Sequence, residues 1–360
     1  MTSAHPDCNF WLGKRVLVTG HTGFKGGWLV LWLHRLGAEV TGIGLHPNTA
    51  PSLFHLANIH NLCGSHFCDI RDAKKLASLI KQAQPEIVFH LAAQPLVRES
   101  YRTPLDTFNI NVMGTANVLD ALCGLDGVLA AVMVTTDKVY RNNEWLWAYR
   151  EDDALGGHDP YSASKAASEK VISSYRDAFL AEQRVAVASA RSGNVIGGGD
   201  WSADRLIPDA VRAWQSGKPL AVRHPDAIRP WQHVLEPLAG YLALAAAMAR
   251  GKKFNGKDFC SAFNFGPSSA AAATVKDTIE LARKAYGAGV VSYEYHSDGP
   301  HEAVTLALDA SKARVLLGIT PQWSLDEAVQ RTMAWYHAQH IGADALTLCE
   351  AEITDYEALL

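Results

Sequence analysis

Short β-branched apolar runs alternate with helical stretches through the first half of the chain. Arg15-Val16-Leu17-Val18-Thr19 reads as a buried strand, Gly26 to Leu36 as a helix ended by Gly37, and Glu39 to Ile43 as the next strand. The pattern repeats with a helix over Leu76 to Gln82, a strand over Glu86 to Leu91, a long helix over Thr107 to Cys123 and a strand over Val128 to Val134. A further unit pairs a helix over Ser162 to Glu182 with a strand over Arg184 to Ala188. Such alternation with short connections predicts an α/β protein: a Rossmann-like, doubly wound parallel sheet with helices on both faces. After about Arg191 the texture changes, with Gly197-Gly198-Gly199 and prolines at 208, 219, 225, 230 and 237. The expected division is therefore a dinucleotide-binding domain over residues 1–191 and a smaller substrate-binding lobe over 192–360, with some of the later chain returning to the sheet. Helices recur at Val275 to Tyr286 and Leu325 to His340, separated by loops around Gly299-Pro300.

Composition narrows the function classes. Hydrophobic residues make up 48% of the 360 residues and charged residues 19%, so a packed core is expected and a disordered chain is excluded. A net charge of −4, from 33 Lys+Arg against 37 Asp+Glu, supplies no global attraction for nucleic acid or an anionic membrane. Six scattered cysteines form no Cys-x-x-Cys pair, and no histidine cluster has zinc-ligand spacing, so no metal is expected. Residues 1–12 lack a basic segment followed by an apolar run, and the Ala-rich stretch Leu238 to Ala249 suits a buried helix better than a membrane span. A cytoplasmic location is the expectation.

Candidate chemistry begins at the end of the first strand, where Gly20-His21-Thr22-Gly23-Phe24-Lys25-Gly26 opens directly into a helix. Glycine there permits a tight turn and close approach of backbone to a pyrophosphate, and the helix N-terminus offers unpaired N–H groups. Lys25 adds a positive charge. The acid that usually binds the adenosine ribose is missing from Gly42-Ile43-Gly44-Leu45-His46-Pro47, which leaves both NAD and NADP open. Asp69 either meets the adenine edge or caps a surface helix. Downstream, Tyr161 and Lys165 lie four residues apart on one predicted helix face. An adjacent ammonium lowers a tyrosine pKa, so Tyr161 is expected to act as a base near neutral pH. Thr136, Asp137 and Lys138 sit just past the 128–134 strand, at the sheet edge where open α/β folds bind ligands.

Together, Thr19 to Gly26, His90-Leu91-Ala92-Ala93-Gln94, Asn111-Val112-Met113-Gly114-Thr115 and Tyr161-x-x-x-Lys165 resemble the extended short-chain dehydrogenase/reductase family. Ala92 to Arg98, Arg191 to Trp201, Ala227 to Val234, Phe263 to Pro267 and His301-Glu302-Ala303 extend the resemblance towards its 4,6-dehydratases, in the branch acting on CDP-glucose. The resemblance implies an NAD-dependent lyase that oxidises C4 of the sugar, eliminates water across C5 and C6, and yields CDP-4-keto-6-deoxy-D-glucose. It assigns Tyr161, with Thr136 and Lys165, to the C4 hydroxyl, Asp137 to the departing C6 hydroxyl and Lys138 to the C5 proton. A lysine base must be neutral, so Lys138 needs a pKa below its usual value of about 10.4, while Asp137 needs a raised one. The two are expected to titrate as a coupled pair.

Cofactor contacts are expected from Gly20, Thr22, Gly23, Phe24, Lys25, Gly26, Asp69, Ile70, Leu91, Ala92, Ala93, Tyr161 and Lys165. Substrate contacts are expected from Gln94, Arg98, Asn194, Arg205, Arg229 and Asn264. The resemblance further implies a homodimer in which the 107–123 and 162–182 helices form a four-helix bundle, and a product used for surface polysaccharide. A 4-epimerase, a dehydratase for another nucleotide sugar and a non-catalytic nucleotide sensor are the rival readings; Asp137-Lys138 argues against the first.

Overall fold

The computed structural model describes residues 6–251, 253, 259–268, 273–294 and 305–360. Its first six strands are β1 (Arg15–Thr19), β2 (Glu39–Gly44), β3 (Gly64–Phe67), β4 (Ile87–His90), β5 (Ala130–Val134) and β6 (Ala186–Ser192). Four short strands follow, β7 (Val195–Ile196), β8 (Leu220–Val222), β9 (Ile228–Arg229) and β10 (Gln232–His233), before β11 (Ala262–Phe265), β12 (Ala273–Thr274) and β13 (Val291–Tyr293). The main sheet is parallel throughout, in the order β11-β6-β5-β4-β1-β2-β3. This is the doubly wound arrangement, whose direction of winding reverses between β1 and β4 and leaves a crevice at the strands' C-terminal ends. β11 carries part of the second half of the chain into the sheet beside β6.

Near-continuous apolar strands form because both faces are covered. On β1, Val16 and Val18 join one core while Leu17 joins the other. On β5, Ala130, Val132 and Val134 face the first core and Ala131 and Met133 the second. The Leu235–Ala249 helix lies in the larger core, which explains its nearly unbroken apolar sequence. Among the described residues, no helix is long and apolar enough to cross a membrane.

Several boundaries differ from the sequence pattern for local reasons. The expected helix over 107–123 begins at Pro104, with proline in the first turn, and widens into a π turn over Asn109–Met113 before Gly114–Leu122. The 162–182 helix starts at Pro160, capped by Asp159 whose carboxylate accepts from Ser162 N, and passes into a π turn over Arg176–Leu180. The last strand of the unit is displaced from 184–188 to 186–192, because Arg184 turns the chain with φ of 61° and Arg191 is neutralised inside the fold. Gly299-Pro300 and the His301-Glu302-Ala303 motif lie outside the described residues.

Candidate active site

At the end of β1, Gly20 adopts φ of 78°, and a Cβ there would sit 2.7 Å from Ala92 N. At Gly26 a Cβ would fall 2.0 Å from Gly20 O, so only glycine lets the Phe24–Arg35 helix pack against the turn. Gly23 is the N-cap and supplies no side-chain hydrogen bond, which leaves the helix's first N–H groups facing the crevice without a side-chain acceptor. A backbone cradle that tolerates no Cβ and ends in an uncapped helix suits a dinucleotide pyrophosphate. Thr22 borders this cradle beside Gly44, and Phe24 packs beside Gly197.

His21 was not singled out by its sequence. Its ring is buried, bonds Ser65 Oγ at 2.7 Å through Nε2 and occupies the space where a Cβ on Gly42 would lie, 2.4 Å from the ring. Burial lowers its pKa to about 4, so the imidazole is neutral. The available signal was Gly42 itself, a residue with no side chain in the middle of an apolar strand.

The opposite wall is the β4 terminus. Thr115 Oγ1 donates to Asn111 O at 2.6 Å, so it accepts from His90 Nε2 at 3.1 Å. His90 Nδ1 then accepts from Thr19 Oγ1 at 2.7 Å, and the threonine oxygen takes Leu91 N and Ala92 N at 3.2 Å each. Burial holds His90 at a pKa of about 3, which keeps the imidazole neutral and this single tautomer in place. The chain locks the Leu91-Ala92-Ala93 segment against the glycine turn. Ile70 packs into the gap over Gly114. Asp69 is held by Arg71, with 2.7 Å between Nη2 and Oδ2, and the adjacent helix is capped instead by Asp72, which removes the capping alternative for Asp69.

Thr136, Asp137, Tyr161 and Lys165 come together past β5, all nearly buried. Thr136 Oγ1 donates to Asp137 Oδ1 at 2.9 Å and lies close enough to the Tyr161 phenol to oppose the rise in its pKa. Asp137 Oδ2 is enclosed and has no hydrogen-bond partner. A Cβ at Gly193 would lie 2.9 Å from that oxygen, so glycine makes room for the carboxyl. Burial raises the Asp137 pKa, against the lowering effects of Lys138, Thr136 and Arg229. Lys138 is half-buried and its N–H reaches Thr136 Oγ1 at 3.4 Å.

The tyrosine differs from the sequence expectation. Burial pushes Tyr161 up to about 12, Asp137 adds to this, and Thr136 and Arg205 oppose it. Lys165 is lowered to about 8 by burial and directs its ammonium to Val134 O at 3.3 Å. In the chain by itself, burial outweighs the lowering effects of Thr136 and Arg205, and the phenol stays protonated at neutral pH.

Other predicted residues divide. Arg229 faces Asp137 and Arg205 faces Tyr161 closely enough to shift them. Asn194 connects through its carbonyl to Gln232 N at 3.0 Å. Arg98 lies 3.9 Å from Asp204. Lys25 turns away from the helix N-terminus into the interior, where it donates to Ser192 Oγ at 2.7 Å and Tyr241 OH at 3.3 Å. Gln94 is occupied within its own loop, donating to Thr107 Oγ1 and accepting from Leu96 N. Asn264 is fully buried: Oδ1 accepts from Tyr140 OH at 2.6 Å, and Nδ2 donates to the Tyr149 and Asp309 carbonyls. That amide clamps β11 to the loop after β5 and turns no donor toward the cleft.

Glu169, one turn beyond Lys165, is a further residue that the spacing alone did not single out. It forms a bidentate pair with Arg191, 2.9 Å at each contact, and accepts from Thr135 and Ser189. Burial pushes its pKa up, but these donors outweigh burial and hold it below the usual glutamate range. Its stabilising effect is therefore full above about pH 4.3 and is lost as pH falls through the folded-state value. Glu169→Gln strands the Arg191 charge and is expected to cost about 3–5 kcal/mol at neutral pH. Urea unfolding should show the deficit shrinking in acid; an equal deficit in acid overturns its electrostatic origin.

Fold and site define a dinucleotide-binding protein of the short-chain dehydrogenase/reductase type. Residues 17–332 match the GDP-mannose 4,6 dehydratase family, and the chain belongs to that family. It is 46% identical to the CDP-glucose 4,6-dehydratase of Salmonella typhimurium, over 97% of this chain and 98% of the relative. The dTDP-glucose 4,6-dehydratase of Streptomyces griseus is 30% identical over 89% of this chain and 94% of its own. Among solved structures, the epimerase Mth375 of Methanothermobacter thermautotrophicus superimposes with a TM-score of 0.79 at 22% identity, covering 94% of this chain and 96% of its own. The dTDP-glucose 4,6-dehydratase DesIV of Streptomyces venezuelae, solved with NAD and TYD, gives 0.77 at 24% identity, covering 92% and 99%. These two likenesses establish the fold.

Proposed function

We propose that the protein is an NAD-dependent CDP-glucose 4,6-dehydratase of the cytoplasm. The observation that carries this is the buried Thr136-Asp137-Tyr161 group at the β5 terminus, in a chain 46% identical to a CDP-glucose 4,6-dehydratase over nearly the full length of both. The glycine cradle would hold the NAD pyrophosphate; when bound, NAD supplies reversible hydride acceptance from C4 and hydride return at C6.

Around that chemistry the chain moves protons. Tyr161, oriented by Thr136, takes the C4 hydroxyl proton. The resulting 4-ketone acidifies C5–H, and Lys138 removes that proton. Asp137, whose raised pKa favours holding a proton, gives it to the C6 hydroxyl, which leaves as water. Lys138 then returns its proton to C5, and the proton gained by Tyr161 makes good the one given up by Asp137 through exchange with solvent, so the net change is loss of one water. Arg205 and Arg229 face the same group and are suited to the substrate diphosphate, because a guanidinium can donate two parallel hydrogen bonds to phosphate oxygens.

Incubation with CDP-, UDP- and dTDP-glucose and GDP-mannose plus NAD, followed by mass spectrometry, tests the reading. Water loss is expected from CDP-glucose above the others, and its absence refutes the assignment.

We further propose a homodimer that pairs the helical run 104–122 and the helix 160–180 with their copies. Leu105, Phe108, Met113 and Phe179 on these segments are exposed apolar side chains, at 84%, 38%, 52% and 50%. Leu105→Asp with Phe108→Asp should halve the mass measured by light scattering; an unchanged mass refutes this interface.

A further inference from the structure

Beside the catalytic group lies a set of arginines, two of which, Arg98 and Arg223, meet an acid only at ion-pair distances of 3.9 and 4.0 Å. Arg98 belongs to the Val97–Arg102 helix after β4, Arg205 is the N-cap of Leu206–Gln215, Arg223 follows β8, and Arg229 ends β9. Arg98, from the first half of the chain, and Arg223, from the second, meet at Asp204, the residue before Arg205. Arg205 and Arg229 influence Tyr161 and Asp137, so the set adjoins the reacting groups.

Asp204 is the acid that lies between Arg98 and Arg223; Asp209, paired with Arg212, also feels the Arg223 charge. The Asp204 backbone has φ of 58°, the left-handed region that a short polar side chain tolerates better than most. This conformation places Oδ1 3.9 Å from Arg98 Nε and 4.0 Å from Arg223 Nη2. Both separations are ion pairs, yet both exceed hydrogen-bond length. Arg98 Nε is enclosed and has no hydrogen-bond partner. Arg98, Asp204 and Arg223 each remain about one-third exposed, at 29%, 32% and 35%, so a ligand entering from solvent can reach all three. Arg205, the next residue, is paired with Asp200 at 3.4 Å and is not competing for Asp204.

Two forked donors thus share one carboxylate oxygen that neither grips. A diphosphate offers what the carboxylate lacks: more than one negative charge and several acceptor oxygens, spaced for bidentate guanidinium contacts. We propose that Asp204 is an internal stand-in for the substrate diphosphate, holding Arg98 and Arg223 in place in the free enzyme and yielding them when the nucleotide sugar enters. Arg223 is then a second-lobe determinant of nucleotide-sugar affinity. The exchange lowers affinity by the fraction of molecules in which the arginines are engaged, and it excludes ligands too weakly charged to displace a carboxylate.

This inference rests on the nucleotide-sugar reading, but its test measures binding without turnover. Calorimetry on the full chain with CDP, CMP and NAD should show Asp204→Asn tightening CDP by about threefold to tenfold and Arg223→Gln weakening it by about tenfold. The Asp204→Asn gain should vanish in an Arg98→Gln/Arg223→Gln background, because the arginines it frees are gone. CMP should respond less than CDP, and NAD should be unaffected. Asp204→Gly removes the carboxylate while accepting the positive φ, and it should tighten CDP as well. A merely structural aspartate would weaken binding when replaced. Weaker or unchanged CDP binding in both Asp204 variants overturns the proposal, as does an equal response to NAD, which would assign the arginines to the cofactor pyrophosphate. If CDP tightens but CDP-glucose loses no water, the dehydratase reading falls and the exchange stands.

Discussion

Tyr161→Phe lowers turnover of CDP-glucose by about 10²–10⁴-fold, the range ascribed to a positioned acid–base group. The ring remains in its buried site on the 160–175 helix, so the fold is retained; only the hydroxyl beside Thr136 is lost. The free chain holds this phenol at about 12, chiefly by burial and then by the Asp137 charge. Positive charge brought into the cleft lowers that value, since it favours the phenolate. Stopped-flow absorbance should show no transient NADH in the variant, because C4 oxidation is blocked before elimination. Turnover within tenfold of the parent enzyme, with NADH still forming, removes Tyr161 from the proposed role.

Asp137→Asn combined with Lys138→Ala separates the steps in the opposite sense. C4 oxidation persists and appears as NADH that accumulates, while water loss falls by about 10²–10⁴-fold. Asparagine fits the carboxyl's site because Gly193 leaves the room, and the unpartnered Asp137 Oδ2 means that no hydrogen bond within the chain is broken there. The Asp137 carboxyl is raised by burial, so at neutral pH it is better suited to hold a proton than an exposed aspartate, and the amide cannot supply that proton to a leaving hydroxyl. Normal water loss in the double variant refutes both assignments. Loss of NADH formation would instead place the pair in the oxidation step.

Reading the chain by hydrophobic period located β1 and the Val275–Tyr286 and Leu325–His340 helices at their observed limits. These segments carry their own signals: β-branched runs, and the Thr274 and Ser324 N-caps. The end of β6 was harder to see, because an arginine inside a buried strand contradicts local pattern unless its partner is known. That partner, Glu169, lies in a different element, and only folding brings the two within 2.9 Å. His21 and Gly42 were equally opaque, since the missing side chain of one is explained by the ring of the other.

Three candidates make contacts inside the protein that residue type alone did not show. Lys25, Gln94 and Asn264 have the donors expected of ligand contacts, but each uses them within the protein. Conversely, Arg223 and Asp204 carry no motif, and their meaning lies in distances of 3.9 and 4.0 Å between segments remote in sequence.

By itself the sequence determined the alternating α/β order, the glycine turn into a helix, and the presence of Thr136, Asp137, Lys138, Tyr161 and Lys165 at positions a parallel sheet brings to one edge. Those follow from local steric and periodic constraints that each segment carries with it. The tertiary structure alone decided which polar groups remain free to act. Protonation, tautomer and pairing depend on burial and on partners from other elements: burial keeps Tyr161 protonated, Thr115 and Thr19 select the His90 tautomer, and Asp204 meets its arginines only across the folded cleft.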